Sequence, residues 1–190
     1  MKFVDMLTVY CKKRGYVSED QIPWLRYTIE KRLSSLFICV TLLVIGAYIA
    51  SPIAAISFNF SFFYLRERTN GLHAKTFAEC FFWSIISEVV ILGVLFKRLE
   101  LWVALLLLLI SSIIIVLFAP FDHPSMHYSS EEIMACAVSS RKRLLILVIV
   151  VICGYILKSA DLLYGITLGI SMTAIMLVGA RITLRRGKDE

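Results

Sequence analysis

His73 and Cys80 stand seven residues apart in the run Arg66-Glu-Arg-Thr-Asn-Gly-Leu-His-Ala-Lys-Thr-Phe-Ala-Glu-Cys80, a polar island between two strongly apolar stretches. A thiol attacks a carbonyl effectively only as thiolate, and a nearby imidazole and a helix N-terminus are the usual means of generating one. The pair therefore points to nucleophilic catalysis at a membrane face, with Cys80 as nucleophile and His73 as base. Distance imposes a condition. On a straight helix the two Cα atoms would lie about 10.5 Å apart along the axis, whereas proton transfer needs about 2.6 to 3.2 Å between heavy atoms or one bridging water. Asn70, Gly71 and Leu72 are accordingly predicted to form a turn that folds His73 back over the start of the next helix, since Asn-Gly is a strong turn signal.

That next helix is predicted from Thr76 onward. Thr76, Cys80, Ser84, Ser87 and Glu88 recur at helical spacing and share one face, while Phe77, Phe81, Phe82, Ile85, Ile86, Val89 and Val90 cover the rest. The polar stripe is expected to face the bundle interior or a wet cavity, with Cys80 near its mouth. Glu88, an acid within a span, is either a functional group or a hydrogen-bonded packing carboxyl.

The elements that must position these residues are read from hydropathy. The chain has 190 residues, 59% of them hydrophobic, and a mean hydropathy of +0.81, too apolar for a soluble domain of this size. An all-α, polytopic membrane helical bundle is predicted. About six spans are read at 33–50, 52–65, 81–96, 101–119, 144–160 and 162–182. A spanning helix normally needs about 17 to 25 residues, so the second and third are short. Ahead of them, Phe3, Met6, Leu7 and Tyr10 followed by Lys12, Lys13 and Arg14, and then the segment 23–32 with Trp24 and Tyr27, read as amphipathic interfacial helices. The start of the chain does not read as a signal peptide. A single membrane domain over 1–190 is expected, with 1–32 interfacial, 33–182 the bundle and 183–190 a tail.

With six alternating spans, Lys97, Arg98 and Lys158 alone fall on one side and every other Lys and Arg falls on the opposite side. The positive-inside rule then puts both termini, the His73–Cys80 segment and the loop 120–143 in the cytoplasm of a multi-pass cell-membrane protein. The net charge of +6 needs no nucleic acid to explain it, and the basic inner face suits anionic lipid or an acidic peptide. Five cysteines, Cys11, Cys39, Cys80, Cys136 and Cys153, form no C-x-x-C pair, and disulfides are not expected. The long loop opens with Ala119-Pro-Phe-Asp-His-Pro124, whose prolines stop the fourth span, and Ser129 or Ser130 before Glu131 and Glu132 reads as a helix start. Gly165-Ile-Thr-Leu-Gly169 is a small-xxx-small motif for close helix packing, within the chain or at a homodimer seam.

The run from Arg66 to Cys80, with Arg, Asn-Gly, His and Cys in that order, resembles the signature of the accessory gene regulator B family. The Ala119-Pro120 loop, the acidic helix start, the basic N-terminal segment and the six apolar stretches extend the resemblance over essentially the whole chain. It implies a membrane cysteine endopeptidase that processes a quorum-sensing precursor peptide, with no cofactor. Cys80 would correspond to the family's nucleophile and His73 to its general base, with Glu30 and Arg66 in supporting positions and Gly71 at a family glycine. Where members often carry Gly-Gly, this chain has Asn70-Gly71. The implied product is a cyclic thiolactone or lactone autoinducing peptide, and the implied partner is a precursor with an amphipathic helix and an acidic tail.

Three other readings use the same residues. His123 and His127 with Asp122 have metal-ligand spacing, which His73 or Cys80 would complete. Glu88 and Asn59 would line the path of a peptide or small-solute transporter. A scaffold protein would leave Cys80 idle. The third active-site member is open among Glu30, Glu79, Glu88 and Asp122.

Overall fold

The computed structural model describes residues 2–71, 76–121 and 129–186, and every regular element among them is helical. Residues 1–41 form one compact unit and residues 42–190 a second. In the first, α1 (Lys2–Lys13) leads through a turn with Gly15 at φ 71° into α2 (Ile22–Ile49), whose residues from Leu42 onward belong to the second unit. Lys12 pairs with Glu19 at 2.7 Å, and Arg26 reaches Asp5 at 3.1 Å and Glu30 at 3.5 Å. The segment 23–32 is continuous with the span that follows, as one 28-residue helix. Its proline, Pro23, sits in the first turn, where a missing N–H costs nothing, and no glycine follows until Gly46.

The second unit is built around α8 (Ala160–Arg186), against which α3 (Pro52–Thr69), α6 (Leu101–Phe118) and α7 (Ser130–Ile156) pack. Lipid is as apolar as leucine, so helices in a bilayer associate through close packing and polar contacts rather than through the hydrophobic effect. Gly165 and Gly169 supply the close packing. A Cβ on Gly165 would meet Ser57 Cβ at 2.8 Å and the Ala54 carbonyl at 2.9 Å, and one on Gly169 would meet the Phe58 carbonyl at 2.7 Å and the Phe62 amide at 3.1 Å. The motif is therefore used within the chain, to seat α8 on α3. Ser111 donates to Ser171 at 3.1 Å to join α6 to α8.

The helix ends are tied by polar clips. Arg143 donates to the Tyr64 carbonyl and pairs with Glu67, both at 2.6 Å, with its guanidinium over the Tyr64 ring. Arg181 caps the Phe118 carbonyl at 3.0 Å. The Phe118 carbonyl is the last of α6, an end where cations are favoured, whereas the Tyr64 carbonyl lies a turn inside the end of α3. At the opposite ends, Ser51 caps α3 through the Ala54 amide and donates to Asp161 at 2.5 Å. The remaining helix, α4 (Phe77–Val90), runs on through a π turn (Ile91–Leu95) into α5 (Phe96–Arg98).

Four stretches, Glu19–Ile49, Ala78–Arg98, Leu101–Phe118 and Ala160–Thr183, are long and apolar enough to cross a membrane. The other two apolar stretches lie in α3 and α7, where Arg66, Glu67 and Arg68 in one and Arg141, Lys142 and Arg143 in the other shorten the apolar part. The helical membrane class is as the hydropathy predicts.

Gly169→Val would drive two methyl groups into the α3 backbone. It is expected to cost about 1–3 kcal/mol, seen as a lower thermal midpoint in detergent; an unchanged midpoint would mean that the two helices do not meet there.

A candidate active site at the ends of helices α3 and α4

Helix α3 stops after Thr69. Asn70, its C-cap, has φ 57° and donates its N–H to the Arg66 carbonyl at 3.3 Å. Gly71 follows at φ 122°, a conformation L side chains rarely adopt. A Cβ there would collide with Arg66 Nη1 and come within 3.3 Å of the Met176 carbonyl on α8. The predicted Asn-Gly turn is thus wedged between the Arg66 side chain and the central helix. The expected fold-back of His73 falls outside the described residues, as do Asp122, His123 and His127 and with them the metal reading.

Helix α4 begins where the hydroxyl spacing predicts. Thr76 is the N-cap and accepts from the Glu79 amide at 3.2 Å, and the Cys80 amide makes a helical bond to the Thr76 carbonyl at 3.1 Å. Cys80 is exposed and stands at the close of the first turn, within the reach of the helix's partial positive charge. Ser84 donates to the Cys80 carbonyl at 2.7 Å. Burial of the Arg66 guanidinium lowers its pKa to about 10, and the neighbouring Cys80 sulfur works in the opposite direction. Arg66 therefore keeps its charge near neutral pH and lies within electrostatic reach of that sulfur.

Exposure along the polar face of α4 is graded. Thr76 and Cys80 are exposed, Ser84 and Ser87 half-buried, and Glu88 fully buried at 1% exposure. Glu88 lies eight residues past Cys80, about 12 Å along the axis, and its carboxylate accepts from Asn59 at 2.8 Å. Of the acids open as third member, Glu79 is exposed beside the Thr76 cap. Glu30 lies in the N-terminal unit and pairs with Arg26.

One neighbour of this site is not legible in the sequence. The Phe121 amide donates to the Thr69 carbonyl at 2.9 Å, and Asn70 Nδ2 donates to the Phe121 carbonyl at 3.3 Å. The segment Ala119-Pro120-Phe121, with a cis peptide before Pro120, is thereby docked on the end of α3 with the Phe121 ring buried. Pro120 marks the segment as stiff, but nothing in the spacing names Thr69 and Asn70 as its partners. An open groove of about 550 Å³ along α7, lined in part by Met134, Val138 and Lys142, includes neither Cys80 nor Arg66.

A helical membrane protein with a helix-end cysteine near a half-buried arginine is what fold and site define. Residues 4–177 match the family accessory gene regulator B, and the chain belongs to that family. Membership fits a membrane protein of quorum-sensing peptide processing. No curated protein and no solved structure matches it significantly.

Gly71→Ala is expected to lose about 1–3 kcal/mol from strain at that backbone conformation, and the variant should also alkylate at Cys80 at an altered rate as Arg66 is displaced. Wild-type stability together with a wild-type alkylation rate would show that the turn is not held as described.

Proposed function

We propose that the protein is a membrane-embedded cysteine endopeptidase that removes the C-terminal tail of a precursor signalling peptide and promotes cyclisation of the remainder. The observation that carries the reading is the exposed Cys80 in the first turn of α4, within electrostatic reach of Arg66, in a chain of the accessory gene regulator B family. A helix N-terminus and a partly desolvated cation both stabilise negative charge on a nearby sulfur or oxyanion.

His73 takes the thiol proton, and the Cys80 thiolate adds to a peptide carbonyl. The tetrahedral intermediate collapses with cleavage of the C–N bond, His73 returns the proton to the leaving amine, and the peptide is left as a thioester on Cys80. A cysteine or serine side chain of the bound peptide then attacks the thioester, releases the enzyme thiol and closes a thiolactone or lactone. Low water activity at the membrane boundary protects the thioester from hydrolysis. Arg66 supports the anionic species, Gly71 shapes the turn after α3, and Glu30 is a supporting acid. The site faces the cytoplasm, as do both termini. A precursor with an amphipathic helix and an acidic tail suits the basic inner face and the anionic lipid around it, and a homodimer is compatible with the reading.

Cys80→Ala and His73→Ala proteins, reconstituted in liposomes with the precursor, are expected to yield no released tail by mass spectrometry while remaining folded. A Cys80→Ala protein that still cuts would rule the mechanism out.

A further inference from the structure

Among the described residues that this mechanism leaves unused, the most deeply buried ionisable one is Glu88. Its side chain is 1% exposed and that of Asn59 2% exposed. Asn59 Nδ2 donates both to Glu88 Oε1 at 2.8 Å and to the Ala55 carbonyl of its own helix at 3.0 Å. A glycine closes the site from a third helix: a Cβ at Gly46 would strike Glu88 Oε1 and come within 2.9 Å of Ala55 Cβ and 3.0 Å of Leu92 Cδ1. The π turn that begins at Ile91 follows one turn later, and its first amide bonds back to the Glu88 and Ser87 carbonyls.

The placement of this bond matters more than its presence. Its donor is on α3, two turns before Arg66, and its acceptor is on α4, two turns after Cys80. In the Cys80 half of α4, Ala78, Glu79 and Cys80 are exposed and Phe82 and Trp83 are each 61% exposed. Apolar contact in a bilayer fixes rotation and register weakly, because lipid offers a helix face the same contacts; a buried hydrogen bond is directional. A carboxyl in a span is expensive and is retained where it does specific work.

We propose that Glu88 is a positioning residue for Cys80: its hydrogen bond to Asn59 sets the rotation and height of α4 on α3, and so sets where the thiol stands relative to Arg66. The inference rests on the reading of Cys80 as nucleophile. Glu88 itself is too far along the helix to touch the reacting atoms. A displacement of about 1 Å at a reacting group can cost about 100-fold in rate, so a slight rotation of α4 suffices to slow turnover with little change in peptide binding.

Glu88→Gln keeps an oxygen acceptor for Asn59 and is expected to retain turnover within twofold. Glu88→Leu and Asn59→Ala should each slow turnover tenfold or more with KM little changed, and the double variant should be no slower than the slower single variant, because both remove the same bond. Multiplying effects, a Glu88→Gln protein as slow as Glu88→Leu, or unimpaired single variants would overturn the proposal. Should Glu88→Leu fail to fold, Asn59→Ala decides alone: unchanged turnover overturns it. The rate of Cys80 alkylation by iodoacetamide, measured on the same proteins and alongside Cys80→Ala cleavage, separates the two levels. If Cys80→Ala still cuts, the protease reading fails, while altered alkylation in Asn59→Ala would still report the positioning.

Discussion

Two absent side chains, at Gly165 and Gly169, let the backbone of α8 approach that of α3 to ordinary atomic contact. The rest of the second unit depends on that approach. It brings the Met176 carbonyl against Gly71, so the turn after α3 is shaped by the central helix as well as by its own dihedral preferences. It also sets α3 as the platform for everything nearby: Arg66 and Gly71 at its end, Asn59 in its middle for Glu88, Tyr64 and Glu67 for the Arg143 clip, and Thr69 for the Phe121 segment. In a bilayer such an arrangement cannot come from apolar burial, which lipid satisfies equally well. Backbone proximity and a few directed polar contacts supply it.

The same economy of contacts bears on the site. Arg66 is partly withdrawn from water by the turn that packs on it, yet it remains charged near neutral pH. A cation with fewer competing waters acts more strongly on a nearby anion than a fully solvated one. The sulfur meanwhile sits on an exposed helix end, open to a peptide arriving along the membrane surface. A half-buried cation near an accessible thiol divides two requirements, charge stabilisation and substrate access, between the ends of two helices.

Much of this was legible in the residues. Thr76 as helix start, the Asn70-Gly71 break and the glycine pair of the last helix are local signals, set by capping chemistry, positive φ and the absence of Cβ, and each is found where its spacing points. The apolar runs likewise mark helices, although α2 runs unbroken from Ile22 because no residue after Pro23 interrupts it before the membrane. What was not legible is pairing at long range. Glu88 and Asn59 each stand out as polar groups in apolar helices, but only packing shows that they bond to one another. The docking of Phe121 on Thr69 and of Arg143 on Tyr64 belongs to the same class. The polar stripe of α4 is buried at Glu88, half-buried at Ser84 and Ser87 and open at Thr76 and Cys80; helical spacing says which residues share a face and not how far along that face a neighbour extends.

The central claim is that the peptide passes through a thioester on Cys80. Brief exposure of the reconstituted protein to a precursor lacking its internal cysteine or serine, followed by acid quench and peptide mapping, tests it most directly. The expected result is a hydroxylamine-labile acyl adduct on the fragment carrying Cys80, formed as the tail is released. Tail release with no adduct, or an adduct confined to another cysteine, would contradict it.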